Sequence, residues 1–98
     1  IPTTDARYDL VIDKDGKLHR IQIKYADAER ENRPGRVRIN INGKPYTAQE
    51  IDALLVYIPK IEEVCWLPPE VWAGKRSITL RYSGRETRVA NCVWDYIW

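Results

Sequence analysis

Residues 7–25 read RYDLVIDKDGKLHRIQIKY. Two alternating runs, residues 8–13 and 18–25, flank Asp15-Gly16, a dipeptide that marks a two-residue hairpin turn. Aspartate and glycine tolerate the positive φ of a type I′ turn, and that turn's twist matches the flanking strands. Turn length fixes register. Lys14 pairs with Lys17, and counting outward places Asp9 opposite Gln22 and Arg7 opposite Lys24. Side chains alternate with a period of two, so one face carries Tyr8, Leu10, Ile12, His19, Ile21, Ile23 and Tyr25. That face is nearly all apolar and is expected to cover the core. The other carries Arg7, Asp9, Val11, Asp13, Leu18, Arg20, Gln22 and Lys24, and it gathers Asp9, Gln22 and Lys24 within one side chain's reach. A slip of one residue would scatter them.

Two readings of that second face stand side by side. An antiparallel sheet commonly keeps one face in water, where Asp, Gln and Lys are ordinary residues. In the other reading the three side chains form a metal-dependent site. Asp9 offers a hard carboxylate oxygen and Gln22 an amide oxygen, a donor set suited to Mg²⁺, which keeps waters and takes further ligands from phosphate. Lys24 beside them supplies a cation for a charged transition state, or a group that orients the attacking water.

Asp9, a hairpin, then Gln22-Ile23-Lys24 resembles the catalytic hairpin of the PD-(D/E)XK nucleases, with Gln22 at the D/E position. The wording ARYDLVIDKDGKLHRIQIKYA, followed by IDALLVYIP, is most similar to a branch that includes intron-encoded homing endonucleases. The similarity spans roughly residues 2–57, with a weaker echo in Trp94-Asp95-Tyr96. Tyr8 stands where the family name has proline, and Gln22 in place of an acid leaves the site one negative charge poorer. The resemblance implies an α+β domain whose central sheet is mixed and mostly antiparallel, of the restriction-endonuclease-like type. It implies Asp9, Gln22 and Lys24 as catalytic residues. Asp9, the Gln22 oxygen and the Ile23 carbonyl would hold Mg²⁺ or Mn²⁺. The substrate would be double-stranded DNA, and two active sites would be needed to cut both strands. That implies a homo-oligomer, dimer or tetramer, on a pseudo-palindromic target. Resembling nucleases have a helix before this hairpin, usually with a further acid. The sequence starts at Ile1 without methionine, directly before a strand, so the 98 residues are expected to be part of a longer protein that carries that helix.

Charge distribution points the same way. Residues 17–44 hold eight basic residues (Lys17, Arg20, Lys24, Arg30, Arg33, Arg36, Arg38 and Lys44) against Asp27, Glu29 and Glu31. Residues 26–36, ADAERENRPGR, lack an apolar period and contain Pro34-Gly35, which predicts a basic loop beside the site. Its arginines are candidates for phosphates or guanine edges, or else a solvated charged loop. Residues 37–41 alternate as a strand, Asn42-Gly43 marks a turn, and residues 44–47 are expected to return as a short second strand. A two-stranded ribbon of this kind fits a major groove, and Arg38 and Asn40 share its polar face with base-reading chemistry. The DNA-binding candidates are therefore Arg7, Arg20, Arg30, Arg33, Arg36, Arg38, Asn40 and Lys44.

Beyond the ribbon, ALLVYI at residues 53–58, stopped by Pro59, predicts a buried strand, with Asp52 as a strand-leading residue or a neighbour of the site. Residues 63–67 and 77–82 predict two more strands, and Pro69 starts one helical turn. Residues 86–98 fit a helical stripe, with Asn91 as the cap of a short final helix. Tryptophans 66, 72, 94 and 98 are expected in packing or at an interface. Cys65 and Cys92 lack metal-type spacing and are expected as thiols in a reducing cytoplasm. His19 falls on the apolar face, and no catalytic Ser-His-Asp pattern or phosphate-binding glycine loop is present. One domain is what this length allows, and no stretch reaches transmembrane length. The resemblance thus implies a site-specific, Mg²⁺-dependent double-strand DNA endonuclease of homing type. Repair, restriction or junction-resolving nucleases of the same fold, an inactive DNA-binding module and a small β-rich interaction domain are the alternatives.

Overall fold

The computed structural model describes residues 7–26, 35–41, 43–83 and 90–98. The hairpin forms with the expected turn and register. Strands β1 (Leu10–Lys14) and β2 (Lys17–Tyr25) pair antiparallel, with Lys14 opposite Lys17 and Leu10 opposite Ile21. Asp15 and Gly16 between them have φ of 56° and 78°, the left-handed values that a primed turn demands. The ladder ends at Leu10. The Asp9 N–H donates to the carbonyl of the same Ile21 (2.7 Å), so Asp9 and Leu10 together oppose one residue, as at a β-bulge. Arg7 consequently does not pair with Lys24, contrary to simple counting.

On its other edge β2 runs parallel to β4 (Ala53–Ile58), and β4 pairs antiparallel with β5 (Glu63–Leu67). The first sheet is therefore mixed, in the order β1-β2-β4-β5. A second sheet has the order β3-β6-β7, from β3 (Arg36–Asn40), β6 (Ser77–Arg81) and β7 (Ala90–Cys92), with β3 antiparallel to β6 and β6 parallel to β7. The expected ribbon is corrected here. Residues 44–47 form no strand, and β3 takes its partner from β6, Arg38 facing Thr79 and Ile39 facing Ile78. Val37, Ile39 and Ile41 are buried, and they need an apolar partner strand. Ile78 and Leu80 supply one, whereas residues 44–47, KPYT, do not. The expected final helix is corrected as well. Residues 84–89 lie outside the described residues, Asn91 sits inside β7, and a single 3₁₀ turn, Val93–Asp95, follows.

One buried cluster joins the two sheets. It takes Leu54, Val56, Ile58, Cys65 and Leu67 from the first, and Val37, Ile39, Ile78 and Leu80 from the second. The short helix α1 (Pro69–Trp72) opens with proline at its first position, where no N–H is needed, and adds Val71 and Trp72. Trp72 is fully buried, and its indole N–H donates to the Leu67 carbonyl (2.7 Å), which satisfies its one polar atom. Cys65 lies in this cluster, where burial pushes its thiol up to about 11; it stays protonated and unreactive at neutral pH.

The register settles which face of the hairpin meets the cluster: it is the polar one and not the expected apolar one, although Ile21 on the apolar face is itself fully buried, opposite Ala53. Gln22 pairs with Leu54 and Lys24 with Val56, so the polar residues share the face of the core. Leu10, Ile12, Ile23, Leu55, Tyr57 and Trp66 lie on the opposite face, half-buried, and Tyr25 there is 73% exposed. His19 packs edge-on against Trp66 on that face, with ring centroids 5.2 Å apart. No helix among the described residues is long and apolar enough to cross a membrane.

Residues 44–52 are tied back to the hairpin by two arginines. Arg7 donates to Glu50 (3.1 Å) and to the Pro45 and Lys44 carbonyls. Arg20 meets both carboxylate oxygens of Asp52 (3.1 and 3.0 Å) and donates to the Gln49 and Ala48 carbonyls. The Arg20 backbone N–H also donates to Asp52 (2.7 Å), while the Asp52 N–H donates to the Arg20 carbonyl (2.8 Å). Asp52 is thus the residue that docks the start of β4 onto β2.

Two stability measurements follow. Gly35 has φ of +82°, and a Cβ there would fall against the Ser83 carbonyl, whose own N–H donates to Gly35 O. Gly16, at +78°, has open space around it. In urea unfolding, Gly16→Ala is expected to cost about 1 kcal/mol from backbone strain alone. Gly35→Ala is expected to cost about 3 kcal/mol, because overpacking adds to the strain. Equal losses would show that Ser83 yields freely. Secondly, the Arg20 side-chain hydrogen bonds, and then its backbone N–H and charge, hold Asp52 below its usual 3.8 against the opposing effect of burial. A depressed carboxylate stabilises above its unfolded pKa and loses that stabilisation as pH falls through the folded one. Asp52→Asn should therefore unfold about 1 kcal/mol more easily at neutral pH, a figure discounted for partial exposure. The gap should close as the pH drops below 3.8. A gap independent of pH would count against the ion pair.

Candidate active site

The bulge at Asp9 turns its carboxylate across the hairpin to β2. Its Oδ2 accepts from the Gln22 side-chain amide (2.9 Å) and from the Ile23 backbone N–H (3.0 Å). The structure thereby brings together Asp9, Gln22 and the Ile23 peptide, three of the four expected site positions. Asp9 is exposed, while Gln22, Ile23 and Lys24 are half-buried. Lys24 stands two residues beyond Gln22 on the same strand face, and its Nζ lies 5.5 Å from the centroid of the Tyr46 ring. The site occupies the margin of the core, where the face that carries Leu54 and Val56 runs out toward the sheet edge.

The donors suit a hard cation. Asp9 supplies one carboxylate, and Gln22 supplies an amide that turns either end toward it, nitrogen as found here or oxygen after rotation. With oxygen turned inward, two electron-rich groups would face each other, an arrangement that needs a cation between them. A single carboxylate matches Mg²⁺, which retains much of its hydration. Among the described residues no group of three or more His, Cys, Asp or Glu stands together.

The DNA-binding candidates separate by geometry. Arg7 and Arg20 are committed to the internal bonds given above, with the side chains of Arg7 and Glu50 only 23% and 28% exposed. Arg38 and Asn40 lie exposed on the outer face of β3, opposite Thr79 and Ser77, with Arg36 half-buried opposite Arg81 on the same face. Lys44 is exposed. Arg30 and Arg33, with the rest of the predicted basic loop at residues 27–34, lie outside the described residues.

Two residues near the site went unnoticed in the sequence. Glu50 accepts from the Thr47 N–H (3.1 Å) and hydroxyl (3.2 Å), a capping-box contact whose signal, Thr-x-x-Glu, is legible at residues 47–50. Tyr46 is 6% exposed and lies under the Arg7 guanidinium, 4.1 Å from the ring centroid. Nothing in its sequence neighbourhood announces that.

Comparison with known proteins accords with this geometry. No curated protein matches the chain. Among solved structures, a bacterial homing endonuclease, I-Ssp6803I, superposes with a TM-score of 0.69 at 20% identity, over 97% of this chain and 70% of that one. The likeness shows a shared fold, the restriction-endonuclease-like sheet expected from the sequence. The family description PD-(D/E)XK endonuclease matches residues 1–96. By that match over nearly its whole length, the chain belongs to the PD-(D/E)XK endonuclease family.

Proposed function

We propose that the chain is the nuclease domain of a Mg²⁺-dependent, site-specific double-strand DNA endonuclease of homing type, active as a homo-oligomer, a dimer or a tetramer. The observation that supports it most is the convergence of Asp9, Gln22 and the Ile23 peptide at the hairpin edge, with Lys24 on the same strand face, in a member of this family. Bound there by Asp9, the Gln22 oxygen and the Ile23 carbonyl, Mg²⁺ or Mn²⁺ would polarise the scissile phosphate and acidify water. Asp9 bonds both the Gln22 amide and the Ile23 N–H, so a phosphodiester arriving at this edge would meet groups already held together. Lys24 orients the attacking water and offsets charge developing on the phosphorus oxygens. Arg36, Arg38, Asn40 and Lys44 would contact the duplex; arginine and asparagine are the side chains that read guanine and adenine in the major groove. Both thiols are free, as a reducing cytoplasm would keep them.

A second reading rests on one observation. Gln22 donates to Asp9 in the structure, so among the described residues the site holds one carboxylate, bonded to a satisfied amide. That is the pattern of a DNA-binding module whose chemistry has lapsed.

Plasmid DNA incubated with the full-length protein in Mg²⁺ or Mn²⁺ separates the two readings. Nicking and linearisation are expected, and Lys24→Ala should slow cleavage by about 100-fold or more while DNA binding persists. Equal cleavage by both proteins would remove the chemistry from this hairpin. Binding without cleavage, on a library of randomised duplexes, would favour the lapsed module.

A further inference from the structure

We propose that Tyr46 and Arg7 are positioning residues for the Lys24 amine, an inference that rests on the reading of Lys24 as catalytic. Lysine is a poor candidate for self-positioning. Its ammonium sits on a flexible four-carbon stem with no preferred donor plane, and much rotamer freedom is lost when it is held. A catalytic amine held by nothing would be misplaced for most of the time. Among the described residues, the contact made by Lys24 Nζ is with the Tyr46 ring, 5.5 Å from its centroid, within range of a cation–π attraction.

The ring is held from several sides. Tyr46 belongs to the buried cluster, and its carbonyl accepts from the Gly74 N–H (2.9 Å). The Arg7 guanidinium lies 4.1 Å from the same centroid. Arg7 in turn is fixed by Glu50 (3.1 Å) and by the Pro45 (3.0 Å) and Lys44 carbonyls, on either side of Tyr46 in the chain. Glu50 is fixed by both donors of Thr47. The order of support therefore runs from the Thr47–Glu50 cap to Arg7, from Arg7 to the ring, and from the ring to Lys24. Arg7 spends its donors inside the protein, so its role is support of the site and not a phosphate contact.

The test has one arm independent of cleavage. In the full-length protein with carbon- and nitrogen-labelled lysine, Lys24 being assigned by its loss in Lys24→Arg, the Lys24 ε-methylene protons should lie upfield of those of the exposed Lys17 and Lys60. The ring of Tyr46 shields them. Tyr46→Phe should keep the shift, and Tyr46→Leu, of similar bulk without a π face, should abolish it. Lys24 signals coincident with Lys17 and Lys60 in the wild type would overturn the proposal without any need for Tyr46→Leu to fold. In the second arm, single-turnover plasmid cleavage in Mg²⁺ should fall about tenfold in Tyr46→Leu at unchanged DNA affinity, and Tyr46→Phe should restore it. A Tyr46→Leu protein that cleaves at the wild-type rate would also overturn the proposal. If the wild type cleaves nothing, the nuclease reading fails, while the spectra still decide whether Tyr46 holds Lys24.

Discussion

The period-two alternation of β2 constrains everything else in this molecule. The strand is bonded on both edges, antiparallel to β1 and parallel to β4. None of its residues can change face without breaking two ladders. Ile21, Ile23 and Tyr25 are committed to one side, Gln22 and Lys24 to the other. The parallel register then places Gln22 beside Leu54 and Lys24 beside Val56, so the polar pair borders the buried apolar cluster. A polar group at the edge of a core needs a partner. Gln22 finds the Asp9 carboxylate, and Lys24 finds the face of Tyr46. The same physical requirement that makes these residues tolerable also holds them still.

Much of this was legible at residues 7–25. The Asp-Gly turn determined register, and the ladder from Lys14–Lys17 to Leu10–Ile21 follows it residue for residue. Strands at residues 53–58 and 63–67 and the proline-led turn at Pro69 announced themselves through composition and punctuation. Choice of face was not legible. Ile21 and Ile23 look like core residues beside Gln22 and Lys24, and within the hairpin they are the better candidates. The decision belongs to β4, thirty residues away, whose pairing phase no local pattern encodes. The partner of β3 escaped for a related reason. Asn42-Gly43 predicts a local return, yet Val37, Ile39 and Ile41 gain more by meeting Ile78 and Leu80 in one buried cluster. The bulge at Asp9 leaves no trace in a pattern of apolar and polar letters.

Basic residues in a presumed DNA-facing stretch turned out to divide by geometry. Arg7 and Arg20 satisfy carbonyls and carboxylates in residues 44–52, whereas Arg38 stands exposed on β3. Charge counting treats the three alike. An arginine has five N–H donors, and wherever a loop offers several carbonyls and one carboxylate within a single fork, internal bonding competes well with solvent. Arg20 has such a fork in Ala48, Gln49 and Asp52, and Arg7 has one in Lys44, Pro45 and Glu50. These two clamps tie both ends of residues 44–52, a segment that forms no strand, back to the hairpin.

Glutamine at the second acidic position alters the electrostatics more than the geometry. Asp9 and Lys24 cancel, which leaves the site close to neutral where two carboxylates would leave it negative. A neutral site attracts a divalent cation weakly by itself, because ion attraction scales with the charges that face it. A phosphodiester adds the missing negative charge and its own oxygen ligands, so cation and DNA would reinforce one another's binding at such an edge. On the proposed reading, the metal enters with the DNA. Gln22 donates to Asp9; on the same reading, rotation of the amide would present its oxygen to a cation that arrives with phosphate. Aspartate or glutamate at that position would have no donor to give Asp9 in its ionised form.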